Sequence, residues 1–131
     1  MATENEIRRG LEAAKKGWLG ASYEPDPRNG CCWAATIIAS YYSPWAAGEY
    51  KKGVVYVPTL CAHARQKCMY EEYAGSFEMG DILVYGDEDH VVVSSGGYRY
   101  IGNSTSRRMI VEGDWRYMGL ELTGIIKTSR Q

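Results

Sequence analysis

The chain changes its hydrophobic period once, at Gly80. Upstream, apolar residues recur three and four positions apart, the spacing of helices with one buried stripe; downstream they alternate, the spacing of strands with one buried face. A helical half followed by a β half lacks the alternation that builds a parallel sheet. It predicts an α+β domain, with N-terminal helices packed on a C-terminal antiparallel β-sheet. A chain of 131 residues suits one hydrophobic core, and no repeat or linker divides it, so residues 1–131 are read as a single domain.

In the helical half, Thr3-Glu4-Asn5-Glu6 sets a hydroxyl three residues before a carboxylate, the pattern of a capping box, and Ile7, Leu11, Ala14 and Trp18 follow at helical spacing. Gly17 and Gly20 close that helix. Turn formers fill Glu24-Pro25-Asp26-Pro27-Arg28-Asn29-Gly30, which feeds a second helix from Cys32 to about Tyr42. Being apolar almost all round, this helix is expected inside the domain. Ser43-Pro44 and Gly48 read as a loop, and Val54-Val55-Tyr56-Val57 as a short apolar run ended by Pro58. Thr59 then caps a third helix reaching about Glu72, with Leu60, Ala64 and Cys68 turned inward.

The β half contains five alternating segments, Asp81–Tyr85, His90–Ser94, Tyr98–Ile101, Arg108–Val111 and Leu120–Ile126, separated by turn residues. With Gly96-Gly97 as a two-residue hairpin loop, Ser94 pairs with Arg99 and His90 falls opposite Asn103.

Charge excludes some classes of partner. Fifteen Lys and Arg balance sixteen Asp and Glu, for a net charge of −1, so no basic footprint for nucleic acid or an anionic membrane exists. No apolar run approaches the ~20 residues of a membrane span, and Met1-Ala2-Thr3-Glu4-Asn5-Glu6 is not a secretory signal. Eleven Tyr and four Trp against one Phe favour surfaces that stack and hydrogen-bond at once; Tyr42, Trp45, Tyr50 and Tyr56 suit a substrate groove or a protein interface equally.

The chemistry-bearing residues are few. Cys61 and Cys68 on one helix stand roughly 10 Å apart, beyond disulfide reach, and adjacent Cys31 and Cys32 diverge, so free thiols are expected. Cys32 follows an Asn-Gly turn and opens a buried helix, where unpaired N–H groups and the helix dipole favour a thiolate. A nucleophilic thiol needs a base, and only two histidines exist. His63 lies mid-helix and reads as a packing residue; His90 opens a Val-rich strand at the edge of a cleft and is the candidate base. Asn103 is the candidate to orient its ring, with Ser104 and Thr105 behind it. A metal site from Cys61, His63, Cys68 and Cys31 or Cys32 has no compact ligand spacing, so neither metal nor cofactor is expected.

These residues in this order, a Cys at a buried helix start, then Gly80-Asp81-Ile82-Leu83-Val84, then Asp89-His90-Val91-Val92-Val93 before a Gly turn, resemble the NlpC-type cysteine peptidases and the related cysteine/histidine-dependent amidohydrolases. The resemblance runs from about Tyr23 to Ser106. It implies a compact papain-like fold, a Cys32 nucleophile, a His90 base, an Asn103 orienter and a Tyr23 that lines the substrate cleft. Gly30-Cys31-Cys32-Trp33-Ala34 is also similar to the papain Cys-Trp-Ala signature, which implies Trp33 beside the substrate. Cys31 and Trp33 stand where the family carries Asp and Ser, and Asp26 is the candidate to replace that Asp at the substrate's free amine. The implied activity is hydrolysis of amide bonds in peptidoglycan stem peptides, without a cofactor. The implied route is synthesis in the cytoplasm and delivery to the wall or periplasm by a phage or a secretion system, with any delivery or immunity partner unidentified. The alternative from another class is a non-catalytic interaction module on the same fold, such as a phage structural component or an inert paralogue.

Overall fold

A computed structural model describes residues 2–21 and 30–130. Its elements run in the expected order, four helices and then, with one exception, strands: α1 (Glu4–Trp18), α2 (Gly30–Ala39), α3 (Pro44–Lys51), α4 (Val57–Gln66), β1 (Tyr70–Glu72), β2 (Ile82–Tyr85), β3 (His90–Gly96), β4 (Arg99–Ser104), β5 (Met109–Asp114) and β6 (Leu122–Ile126). The exception is a short 3₁₀ turn at Trp115–Tyr117, ahead of β6, and a second follows at Thr128–Arg130. All strand pairings are antiparallel, in the order β1-β6-β2-β3-β4-β5. The domain is α+β, as its change of period implies.

Local chemistry explains each boundary. The Thr3 hydroxyl accepts from Glu6 N at 3.1 Å while the Glu6 carboxylate accepts from Thr3 N at 2.9 Å, so the capping box forms. The stretch read as a loop is α3: Ser43 caps it by accepting from Ala46 N, and Pro44 occupies the first turn, where its missing N–H costs nothing. The apolar run Val54–Val57 leads directly into α4, which Val57 opens with Pro58 in its first turn. That helix stops at Gln66 rather than Glu72. Cys68 adopts a left-handed conformation (φ 56°) that breaks it, and Tyr70–Glu72 leaves as the edge strand β1.

The sheet buries both faces. Ile82, Val84, Val91, Val93, Ile101, Ile110 and Ile126 meet the helices, while Leu83, Tyr85, Val92 and Ile125 lie under Tyr73, Phe77, Tyr100, Trp115 and Met118. At the centre of the helical layer runs α2, buried at every residue except Trp33. Tyr42, considered for a groove, belongs to this core and donates its hydroxyl to the Gly80 carbonyl at 2.6 Å. None of the helices among the described residues is long and apolar enough to cross a membrane.

One register departs from expectation. Ser94 pairs with Tyr100 and Gly96 with Arg99, leaving Ser95 as an extra residue, so the loop is Gly97-Tyr98 and the ladder shifts by one. Gly96 (φ 108°) and Gly97 (φ 58°) supply the backbone that the bulge and turn require.

Candidate active site

The pairing between β3 and β4 covers only Val93 to Gly96, although β2–β3 continues to Tyr85↔His90 and β4–β5 to Ser104↔Met109. The β3–β4 ladder therefore stops short of His90. The N-terminus of α2 points there. On α2 the Cys31 thiol faces the backbone N–H of Val91, together with the N–H groups of Cys31 and Cys32. The His90 ring is hydrogen-bonded to the backbone of Asn103, a bond that favours its protonated form and so runs from ring N–H to carbonyl oxygen. Thiol, imidazole and Asn103 are thus gathered at one end of the sheet.

Cys32 is directed elsewhere. Successive helical residues point about 100° apart, and the Cys32 thiol donates to the Val54 carbonyl at 3.6 Å, on the side of α3 and α4, with no exposure. The Cys32 thiol is thus turned away from β3, while the Cys31 thiol faces it. Burial pushes the Cys32 thiol well up, and Cys31, Cys61 and Glu49 add to the rise. A neutral, sealed thiol packs as a small apolar side chain.

Burial also raises the Cys31 thiol, against the three N–H groups that favour its anion, and burial holds His90 below its ordinary 6.5, against the Asn103 bond. The resting pair is a neutral thiol and a neutral imidazole. Such an imidazole can accept a proton as the thiol attacks, with no need for a preformed ion pair.

The other expected residues separate. Asn103 is brought to His90 through its backbone; its side chain lies on the helix-facing side of β4 with Ile101, opposite Ile110 of β5. Ser104 closes the β4–β5 turn by accepting from Arg107 N, so it is not turned to His90. Trp33 packs edge-on against Trp18, ring centres 5.4 Å apart, and Trp18 in turn donates to the Tyr41 hydroxyl. Tyr23 and Asp26 lie outside the described residues. The chain approaches that stretch along β5, where Gly20 N donates to Ile110 O and Ile110 N to Ala21 O, and it returns at Gly30. Ile110 faces Asn103, so both ends of the stretch border the site.

His63 sits apart, its Nδ1 2.5 Å from the buried Glu49 carboxylate, whose other oxygen accepts from Lys52. The four cysteines are free, and among the described residues no group of His, Cys, Asp and Glu is arranged to hold a metal ion.

The Gly80-Asp81 pair proves to be architectural. Fully buried Asp81 accepts from Glu78 N, Lys127 Nζ, Ser129 N and Ser129 Oγ at 2.6–3.1 Å, anchoring the segment after β6. Sequence reasoning had no signal for this role, because the four donors come from both sides of the sheet-forming half.

The architecture matches solved structures over nearly its whole length. The P60 domain of antigen MAP1204 from M. avium subspecies paratuberculosis superposes with a TM-score of 0.54 at 12% identity, over 95% of this chain and 96% of that one. The chain has the P60-domain fold. The peptidoglycan hydrolase RipB from Mycobacterium tuberculosis also matches, with a TM-score of 0.54 and 13% identity, over 96% of this chain and 68% of that one. No family model and no curated protein matches the sequence. The papain-like α+β fold that the sequence resemblance implied is therefore the fold observed.

Proposed function

We propose that the protein is a cysteine-dependent hydrolase that cleaves amide bonds in peptidoglycan stem peptides. Cys31 Sγ attacks the amide carbonyl as His90 takes the thiol proton; the C–N bond then breaks, and His90 passes that proton to the leaving amine. Water, deprotonated by His90, hydrolyses the thioester and restores the Cys31 thiol. N–H groups in the first turn of α2 stabilise the oxyanion. The Asn103 carbonyl holds the ring so that its second nitrogen serves the thiol. No cofactor is required for this chemistry.

One observation carries this reading: the Cys31 thiol faces the backbone N–H of Val91, the residue next to His90, which favours its anion, while the Cys32 thiol is sealed against Val54. The shared fold with a peptidoglycan hydrolase supports the substrate class. Mass spectrometry of peptidoglycan fragments incubated with wild type, Cys31→Ala, Cys32→Ala and His90→Ala tests it. New fragments from wild type and Cys32→Ala alone are expected, and their masses identify the bond. Cleavage that survives Cys31→Ala, or a folded wild type that cleaves nothing, overturns the proposal.

A further inference from the structure

His90 is the first residue after the turn Gly86–Asp89, so the backbone of that turn sets where its ring begins. The turn closes through Asp89 N to Tyr85 O at 3.0 Å and is tied to its neighbours by Gly86 N to Glu121 O and by the Thr123 hydroxyl to Gly86 O. Two of its residues are left-handed, Gly86 (φ 66°) and Glu88 (φ 56°). Glycine adopts that conformation freely, but glutamate pays for its Cβ, and a non-glycine residue stays there only when its surroundings hold it. What holds Glu88 is Arg65 of α4, whose guanidinium lies 2.5 Å from the Glu88 carboxylate. The guanidinium is itself fixed, 4.1 Å above the Tyr70 ring. The pair bridges two elements: α4, which belongs to the helical layer, and the turn that launches β3.

We propose that Arg65 and Glu88 are a positioning pair that sets the His90 ring for proton transfer with Cys31. The inference rests on the dyad proposed above. An exposed ion pair adds little to global stability, so its presence at a strained residue two positions before the base is better matched to placement than to folding. Neither residue touches the reacting atoms; both act through the turn.

The rate of Cys31 alkylation by iodoacetamide, measured in the full chain, reads proton transfer without a chosen substrate. The His90 ring-proton NMR signal reads placement, in a chain with only two histidines. Glu88→Gly keeps the left-handed turn but deletes the carboxylate, and Arg65→Gln deletes its partner. Both are expected to slow alkylation about tenfold, since small misplacements of reacting groups cost up to that order and beyond, and to shift the His90 signal while leaving that of His63 in place. The exchanged double variant Arg65→Glu/Glu88→Arg is expected to recover most of the rate. If His90→Ala slows alkylation but Glu88→Gly and Arg65→Gln do not, or if they slow it without moving the His90 signal, the positioning role is overturned and the dyad stands. If His90→Ala alkylates as fast as wild type, the dyad itself falls.

Discussion

The two ends of the β2–β3 hairpin, about 13 Å apart at the usual rise per residue, differ in how they treat polar groups. At the open end Asp81 is fully buried and receives four hydrogen bonds, while the Gly80 carbonyl receives the hydroxyls of Tyr42 and Thr128. At the turn end the β3–β4 ladder stops short of His90, and the backbones of Val91 and Asn103 are met by a thiol and an imidazole. Saturation makes the first end rigid and chemically silent. Incomplete pairing leaves the second able to bond a reacting group, at some cost in stability. The same separation divides α2, where Cys31 faces the open ladder and Cys32 the sealed interior.

Substitutions can break this contrast, and the largest effect is expected at Cys31. Cys31→Ala should lower turnover by at least about 10³-fold, as removal of a nucleophile does, whereas Cys32→Ala should leave turnover near wild type; steady-state kinetics compare them. Next comes Asp81→Ala, which strands the Lys127 ammonium in the interior and should cost about 3–5 kcal/mol in urea unfolding while leaving the activity of the remaining folded protein unchanged. An equal loss of intrinsic activity would join the two ends and end the comparison. Gly102→Ala tests the close approach of β4 to β3, because a Cβ there would meet Val92 Cγ1 at 2.6 Å; about 1–3 kcal/mol of destabilisation is expected from such overpacking.

The smallest effect is in pH dependence. His90 is held below 6.5, so its ring remains a free base until the pH falls beneath that value, and the acid limb of kcat/KM should lie below 6.5. Stability follows the same sign. The unfolded chain binds a proton near 6.5 that the folded ring resists, so stability is complete above that pH and declines as pH falls towards the folded pKa. A chemical-denaturation series from pH 7.5 to 5 should show a shallower decline in His90→Gln than in wild type.

The sequence revealed the architecture more fully than the site. The change of period at Gly80 exposed the α+β class, and the Thr3–Glu6 capping box was readable because its chemistry is local. Helix α3 is less legible: Ser43-Pro44 is a start signal, but Gly48 is a turn former and eight residues are too few for a helical stripe to show. The Ser95 bulge was hidden because two consecutive glycines fit a plain hairpin turn equally well, and one extra residue moved the whole β3–β4 register. That shift turned Asn103 from a side-chain partner of His90 into a backbone one, and the direction of each cysteine on α2 decides which thiol meets the strand. A rotation of about 100° per residue is invisible to composition and decisive for chemistry.

Site mapping of a single alkylation event addresses the central claim most directly. Wild type, Cys32→Ala and His90→Ala would be treated with substoichiometric iodoacetamide, and the modified residue located by fragmentation of the peptide that carries both cysteines. Modification of Cys31, unchanged in Cys32→Ala and slowed in His90→Ala, is the predicted result. First modification at Cys32, or at Cys31 with no dependence on His90, would contradict the account.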